Sequence, residues 1–192
     1  MTINKLTSIR LSQPTCPWWF LFTFDNPLRR FYQDPEKILS PYLKPGDRVV
    51  DIGCGMGYFT IPMAKLIGGS GKVIAVDMQS KMLSGLRKRA SQTGVEEQIE
   101  LHQSTQDQIG ITGPVDFVLT FWMVHEVHQL RSFLDQIYQM LKNDGQLLIA
   151  EPYIHVKGKA FLKTVSEVEA IGFSIKEHLS IGFSRSILVQ KA

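Results

Sequence analysis

A glycine-rich stretch, VVDIGCGMGY, occupies residues 49–58 and joins a buried β-type run to a helical pattern. A strand–turn–helix unit of this kind is typical of an open parallel sheet, in which ligands bind beyond the carboxyl ends of the strands. The glycines Gly53, Gly55 and Gly57 permit unusual backbone angles and let a ligand approach without meeting a Cβ atom. The stretch therefore predicts an α/β sheet with a ligand site at the end of its first strand.

Strand-like and helix-like segments alternate from residue 44 onward. The pattern predicts strands at residues 48–52, 72–76, 99–102, 115–121, 146–151, 173–177 and 186–190, of which the last two form an antiparallel hairpin. It predicts helices at residues 58–67, 80–92, 130–141 and 160–171. Pro62 lies inside the first of these helices, which should start late or bend there, and a turn is expected at residues 143–145. This alternation indicates a mostly parallel sheet covered by helices on both faces.

The composition is that of an ordinary globular protein. The chain has 192 residues, of which 44% are hydrophobic and 20% are charged, enough to bury one sizeable core. Its net charge of +3 is too small to indicate nucleic-acid binding by itself. The two cysteines, Cys16 and Cys54, form neither a disulfide framework nor a zinc pattern, and they suit a reducing compartment. We therefore predict a cytoplasmic protein without a transmembrane segment.

An acidic residue ends the second strand at a place where nucleosides are often held. Asp77 lies twenty residues after Gly57, and a carboxylate there can accept two hydrogen bonds from a ribose diol. The pyrophosphate-binding pattern G-x-G-x-x-G would need a glycine at position 58, where Tyr58 would obstruct the phosphates. These features predict a nucleoside-like ligand with little phosphate rather than a nicotinamide or flavin cofactor. The alternative is that the glycines form only a tight turn and Asp77 only a helix cap.

These motifs resemble those of class I S-adenosylmethionine-dependent methyltransferases. VVDIGCGMGYFT (49–60) and VIAVDMQSKML (73–83) are similar to the first two motifs of that family, and VDFVLTFWMVHEV (115–127) and LKNDGQLLIAEP (141–152) to its later strand motifs. The resemblance covers roughly residues 40–192 and extends to the ubiquinone- and menaquinone-biosynthesis-like branch, methyltransferase type 11. It implies a Rossmann-like fold whose seven-stranded sheet has the order 3-2-1-4-5-7-6, with strand 7 antiparallel. It also implies S-adenosylmethionine as the cofactor and S-adenosylhomocysteine as the product.

The resemblance implies cofactor contacts at the carboxyl ends of the first, second and fourth strands. Asp77 would hold the ribose, Met78 would pack on the adenine, and Phe121 would lie near the sulfonium. The residues that would line the methionine part of the cofactor are Asp51, Gly53, Cys54, Gly55 and Gly57. Among these, Asp51 could hold the ligand's ammonium group directly or through water.

The loop after the third strand should pass the adenine edge, through Ser104 and Thr105. The family often has an acidic residue there, which accepts a hydrogen bond from the adenine amino group. In this chain the position holds Thr105, whose hydroxyl can still accept such a bond. Asp107 is the alternative acceptor.

Catalysis of methyl transfer depends mainly on positioning the two reactants. A base helps when the acceptor is a hydroxyl or an amine, and His125 and Glu126 follow the fourth strand, where acceptor and cofactor should meet. The alternative is that His125 supports the loop and Glu126 binds a nearby backbone amide. The histidine and glutamate spacing in residues 125–128 differs from that of zinc sites, so we predict no bound metal.

An aromatic-rich segment precedes the predicted sheet domain. We expect residues 44–192 to form the cofactor-binding domain and residues 1–43 to form a lid or helical extension over the ligand site. Arg29 or Arg30 would then be available for an anionic acceptor. Glu151, Tyr153 and His155, at and after the end of the fifth strand, would border the same pocket, and the alternative is that they are purely structural. The aromatic residues of the lid that would reach the acceptor are Trp18, Trp19 and Phe24. The alternatives are that this segment only packs on the core, or that it docks on a membrane surface or a partner.

The leading hypothesis is a methyltransferase that acts on a small molecule by in-line transfer. The short chain, its mild charge and the lack of a recognisable RNA-binding segment favour a small-molecule acceptor. One alternative is a regulatory or scaffolding module that binds S-adenosylmethionine without turnover. The other is an RNA or protein methyltransferase.

Overall fold

The strands of the described residues join in a single sheet with helices packed around it. A computed structural model describes residues 29–192. Its strands are β1 (Arg48–Ile52), β2 (Lys72–Asp77), β3 (Ile99–Gln103), β4 (Val115–Phe121), β5 (Leu141–Pro152), β6 (Phe173–Ile181) and β7 (Ser184–Lys191). Its α-helices are α1 (Arg29–Tyr32), α2 (Pro35–Leu39), α3 (Thr60–Ile67), α4 (Ser80–Thr93), α5 (Leu130–Met140) and α6 (Gly158–Ile171).

The order of the strands in the sheet is β3-β2-β1-β4-β5-β7-β6. Strands β1 to β5 run parallel, whereas β7 pairs antiparallel with both β5 and β6. This arrangement confirms the order and the antiparallel strand 7 that the family resemblance implied. We call the edge at which β1 to β5 end the carboxyl edge. The chain leaves β1 towards β2 on one side and reaches β4 on the other, and such a switch point is where open α/β sheets bind ligands.

Alternate residues of the central strands pack against opposite helical layers. Val49 of β1 belongs to a buried cluster that includes Leu39 of α2 and Leu86 of α4. The next residue, Val50, belongs to a second buried cluster, which includes Leu134 of α5. Both faces of the sheet are therefore covered, as expected for parallel strands whose sequences are continuous apolar runs.

The first helix after the glycine turn begins later than its periodicity suggests. α3 starts at Thr60 rather than at residue 58, so Pro62 is its third residue. The backbone N–H groups of the first helical turn have no partner within the helix, and a proline there removes no helix hydrogen bond. The expectation of a late start is therefore confirmed. The other predicted helices and strands are present with shifted ends.

We predicted that residues 143–145 form a separate turn between α5 and β5, and this prediction is wrong. β5 already begins at Leu141, which pairs with Val115 of β4, and the register then shifts so that Gln146 faces Phe117. The polar residues in between are exposed and form a bulge inside the strand. Leu141 and Val115 are both buried. Their pairing starts the strand before the polar segment, which then bulges outward.

A buried hydrogen-bond network ties α1 to the carboxyl edge. Gln33 is fully buried, and its Nε2 donates to the carbonyl oxygen of Gly182 at 2.6 Å and to Oγ of Ser184 at 3.2 Å. Its Oε1 accepts a hydrogen bond from Nε of Arg29 at 2.8 Å. Nε1 of Trp122 donates to the same Ser184 hydroxyl at 2.8 Å. The network thus joins α1, the loop after β4 and the turn between β6 and β7.

The aromatic part of the expected lid falls outside the described residues. Trp18, Trp19 and Phe24 lie there, so the lid and the domain boundary after residue 43 stay predictions. Leu39 of α2 is fully buried in the core, so this part of the predicted extension packs on the sheet domain. Within residues 29–192, none of the helices combines the length and the apolar character needed to cross a membrane.

Candidate active site

A cavity of about 880 Å³ opens at the carboxyl edge, where the turn after β1 meets the segments after β2, β3, β4 and β5. Its volume lies in the upper part of the range of about 300–1,000 Å³ that is usual for small-molecule sites. The predicted cofactor residues that line it are Asp51, Gly53, Cys54, Gly55, Asp77, Met78, Ser104, Thr105 and Phe121. Arg29, His125 and Glu126 line it as well. The fold therefore brings residues from four separate strand ends, together with Arg29, to one space.

The three glycines of the turn after β1 have different surroundings. All three have positive φ angles, +75° at Gly53, +53° at Gly55 and +85° at Gly57, which side chains disfavour. A Cβ on Gly57 would clash with Leu86 of α4, and one on Gly53 would lie 2.9 Å from Cγ of Met123. A Cβ on Gly55 would meet no atom of residues 29–192 within 4 Å. Gly55 is thus open to the cavity, whereas Gly57 packs against α4 and is not part of the cavity wall.

Asp77 fixes the glycine turn to the end of β2. Its Oδ2 accepts the N–H of Gly55 at 3.0 Å, and its Oδ1 accepts the N–H of Gln79 at 2.8 Å. Burial raises the pKa of Asp77, and these backbone N–H groups oppose the rise. Each carboxylate oxygen has a further lone pair. Asp77 therefore holds the local backbone and can still accept hydrogen bonds from a ligand.

The loop after β3 folds back on itself where the adenine edge was expected. The N–H of Thr105 donates to the carbonyl of Gln108 at 3.0 Å, and Oγ1 of Thr105 accepts the N–H of Gln108 at 3.2 Å. The N–H of Ser104 donates to the carbonyl of Asp77 at 3.2 Å. Asp107, the alternative adenine partner, also lines the cavity. The Thr105 hydroxyl accepts one hydrogen bond within this turn and has a second lone pair, so Thr105 and Asp107 both remain candidate acceptors for an adenine amino group.

A histidine and a buried glutamate meet beside the cavity. Glu151, at the end of β5, is 1% exposed, and Oε1 accepts the N–H of Val124 at 2.9 Å. Its Oε2 accepts the N–H of His125 at 3.1 Å and lies 2.7 Å from Nδ1 of the same residue. The hydrogen bond with Glu151 raises the pKa of His125, burial opposes this, and the charges of Glu151 and Glu126 raise it further. His125 is thus held in a defined orientation at the cavity wall.

Arg29 lies among aromatic rings that the sequence did not mark as functional. Its guanidinium carbon is 4.1 Å from the ring centroid of Tyr58 and 4.9 Å from that of Trp122, and both rings line the cavity. Trp122 has a φ of +59°, a region that a bulky residue rarely adopts and that is found at functional sites. The position of Trp122 just after β4 is the one signal in the sequence that could have identified it as a residue of the cavity wall.

Tyr153 is not brought to the cavity. Its side chain is 49% exposed, and the guanidinium carbon of Arg185 lies 4.8 Å from its ring centroid. The neighbouring residues Ile154 and His155 line the cavity instead. The segment after β5 therefore contributes to the cavity through Ile154 and His155 and not through Tyr153.

Comparison with known proteins identifies the family of this chain. Residues 43–180 match the model of a family described as a methyltransferase domain. The chain belongs to this methyltransferase family. The S-adenosylmethionine-dependent class that the motifs implied is thereby confirmed, and S-adenosylmethionine is the cofactor of the domain.

Two curated relatives of this methyltransferase domain have names that indicate different acceptors. A demethylmenaquinone methyltransferase of Lactobacillus johnsonii is 34% identical over 110 residues, which are 57% of this chain and 45% of the relative. A ribosomal protein L11 methyltransferase of Bacillus pumilus is 29% identical over 153 residues, which are 80% of this chain and 46% of the relative. The chain thus spans about half the length of these curated relatives.

A solved structure has the same fold over nearly the whole chain. The S-adenosylmethionine-dependent methyltransferase of Aquifex aeolicus superposes with a TM-score of 0.83 at 23% identity, covering 93% of this chain and 100% of that one. At this level of identity the likeness concerns the fold. It agrees with the strand order of the methyltransferase domain described above.

A buried carboxylate in the wall of the cavity fits the ammonium group of the cofactor. Asp51 is 3% exposed, and its Oδ2 accepts the hydroxyl of Thr60 at 2.6 Å. Burial raises the pKa of Asp51 to about 7; the bond from Thr60 opposes this rise and the charge of Asp77 adds to it. Within residues 29–192, no cationic side chain forms an ion pair with Asp51. A cationic ligand group would supply the missing positive charge, so this methyltransferase domain has a fitting place for the methionine part.

Cofactor affinity should therefore depend on pH. Below a pKa of about 7 the unliganded Asp51 is protonated, and binding an ammonium group requires the carboxylate. We expect the affinity for S-adenosylhomocysteine to rise roughly eightfold between about pH 6 and about pH 7.5. Calorimetric titration across this range measures the effect. Asp51→Asn should bind more weakly and lose the pH dependence; a pH-independent affinity of the unaltered protein would show that Asp51 is already ionised or does not meet the ammonium.

Proposed function

We propose that this protein transfers a methyl group from S-adenosylmethionine to a small-molecule acceptor. The observation that carries the proposal is the cavity of about 880 Å³, which reaches from Gly55 and Asp77 to His125 within one continuous space. Such a space suits a cofactor and a second small molecule side by side. The acceptor of the demethylmenaquinone relative would fit this description, whereas that of the ribosomal protein relative would not.

The residues on the cofactor side bind and orient. Asp77 would accept hydrogen bonds from the ribose while it holds the turn at Gly55, and Asp51 would face the ammonium group. Met78 would pack on the adenine. When bound, S-adenosylmethionine supplies a methyl group already activated by a sulfonium, so holding the acceptor in line with it contributes most of the rate enhancement.

The residues on the acceptor side exclude water and select the acceptor. Phe121 is 8% exposed and its ring packs 4.3 Å from that of Phe59, centroid to centroid; both rings line the cavity, so this part of its wall is apolar. Arg29, 8% exposed at the cavity wall, would favour an acceptor that carries an anionic or strongly polar group. We propose that residues 1–43 complete this side, with Trp18, Trp19 and Phe24 over the acceptor.

Formation of S-adenosylhomocysteine with a panel of acceptors tests the function. We expect turnover with at least one class of small molecule, in a panel that spans aromatic hydroxyls, amines, thiols and acidic carbons. Purified ribosomal protein L11 is included in the same panel as the macromolecular acceptor. Turnover with L11 alone would replace the small-molecule assignment by a protein methyltransferase. Tight binding of S-adenosylmethionine, with no product from any acceptor, would favour the regulatory module.

A further inference from the structure

We propose that Glu151 and His125 form a proton-accepting pair, and that the acceptor is a weakly acidic hydroxyl compound of the phenol or enol class. This inference deepens the proposed function and rests on it. His125 would touch the acceptor, and Glu151, which lies behind the histidine, would act as its positioning residue. The pair joins the segment after β4, which contains His125, to the end of β5, which contains Glu151, and these two strands end side by side at the carboxyl edge.

The hydrogen bonds of Glu151 determine which nitrogen of His125 carries the proton. Both carboxylate oxygens accept backbone N–H groups, from Val124 and from His125 itself, and a carboxylate is an acceptor only. Oε2 also lies 2.7 Å from Nδ1 of His125. In the neutral ring Nδ1 must therefore carry the hydrogen, and Nε2 must carry the lone pair. Within residues 29–192, Nε2 makes no hydrogen bond with the protein, so it is available at the cavity wall.

The groups around the ring make it a stronger base than an ordinary histidine. Glu151 faces its Nδ1 edge, and Glu126 from the same turn adds a negative charge that favours the protonated ring. His155, on the segment after β5, lies parallel to it with ring centroids 5.8 Å apart. Together the two carboxylates raise the pKa of His125 above its usual value of 6.5.

The strength of this base selects a class of acceptor. An imidazole removes a proton efficiently when the acid is not much weaker, as with phenols, whose pKa is about 10. Aliphatic alcohols are far weaker acids, and thiols ionise without such help. The apolar lining around Phe121 also suits an aromatic acceptor. Weakly acidic hydroxyls therefore match this site best.

In the transfer step each bond that breaks is matched by one that forms. The acceptor oxygen forms a bond to the methyl carbon as the bond between that carbon and sulfur breaks, and the bonding pair remains on sulfur. The O–H bond of the acceptor breaks, and its proton moves to Nε2 of His125. The resulting imidazolium is stabilised by Glu151 and returns the proton to solvent after the methylated product leaves. No oxidant, reductant or further reactant is needed.

Nuclear magnetic resonance of the histidine side chains tests the pair without any acceptor. In protein labelled at the imidazole nitrogens, with S-adenosylhomocysteine added, we expect neutral His125 to carry its proton on Nδ1. Glu151→Gln should lower the pKa of His125 and allow both tautomers. Glu126→Gln removes a nearby charge but no bond to Nδ1, so it should lower the pKa less and leave the tautomer unchanged. A proton on Nε2 in the unaltered protein would overturn the proposal.

Paired acceptors test the substrate class. Catechol and thiophenol serve as the pair of probes. The thiol group of thiophenol ionises with little help from a base, whereas the hydroxyl groups of catechol need one. His125→Asn, which leaves the backbone bonds of Glu151 intact, should lower methylation of the hydroxyl probe about 10²–10⁴-fold and that of the thiol much less. In Glu151→Gln the rise of activity with pH should shift to lower pH. Equal losses on both probes, or methylation of thiols only, would overturn the hydroxyl assignment. Failure to bind S-adenosylmethionine, with the Nδ1 proton in place, would instead contradict the proposed function.

Discussion

Replacing Asp77 with alanine should weaken binding of S-adenosylhomocysteine by roughly 2–4 kcal/mol, or about 30- to 1,000-fold. Two effects add in this variant. The ligand loses charge-assisted hydrogen bonds, and the N–H of Gly55, which donates to Asp77 at 3.0 Å, loses its partner. The turn that should carry the methionine part would then be held to the end of β2 only by the N–H groups of Gly53 and Cys54, which donate to the carbonyl oxygen of Val76. Calorimetric titration gives the affinity, and chemical unfolding of the unliganded protein gives the stability.

Asp47, directly before β1, is a matched control for Asp77. Asp47 also accepts a backbone N–H, that of Lys44 at 2.7 Å, but it precedes β1 and is remote from the carboxyl edge. Asp47→Ala should lose some stability and keep its affinity for S-adenosylhomocysteine. An Asp77→Ala variant that binds as tightly as the unaltered protein would show that the ribose is held elsewhere.

Valine at Gly55 should abolish cofactor binding while the domain still folds, whereas valine at Gly57 should prevent stable folding. Both glycines have positive φ angles, and a non-glycine residue there costs roughly 1–3 kcal/mol. At Gly55 the added side chain enters the open cavity and takes the place of the ligand. At Gly57 it also clashes with Leu86, a fully buried residue of α4, so the total cost should exceed about 4 kcal/mol.

Gly94 provides the control for the backbone strain. It has a φ of +69°, and a Cβ there would meet no atom of residues 29–192 within 4 Å, but it lies at the far end of α4. Gly94→Val should therefore be destabilised about as much as Gly55→Val and should bind S-adenosylhomocysteine normally. Thermal unfolding and calorimetry separate the two effects. Normal binding by Gly55→Val would mean that the cofactor does not pass over this turn.

The meeting of the glycine turn and Asp77 at one cavity was predictable because these residues are close together in the sequence. Gly53, Gly55 and Asp77 lie on two consecutive strand ends, and the rules for parallel sheets bring consecutive strand ends together without further information. The distinction between Gly55 and Gly57 was not predictable. It depends on Leu86, whose side chain reaches the turn only when α4 has packed on the sheet.

The acceptor side was harder to predict because its contacts join distant parts of the chain. Gln33 and Gly182 are 149 positions apart, and no periodicity indicates their hydrogen bond. The role of Glu151 could be suspected from its place after a strand, but its partnership with Nδ1 of His125 depends on the pairing of β4 with β5. Tyr153 had the same kind of position and points elsewhere, so position alone did not separate the two.

The hairpin of β6 and β7 has a consequence for the order in which the domain assembles. Among the described residues β6 joins the sheet only through β7, and we expect these two strands to pair first with each other, since their contacts are local in the sequence. Gln33 finds its partners at Gly182 and Ser184 only after that docking. The parallel strands that carry Gly55 and Asp77 need neither event. During folding, the chain should thus form its nucleoside site before the part of the cavity wall that contacts the acceptor. S-adenosylmethionine would then bind to the partly folded domain and stabilise it.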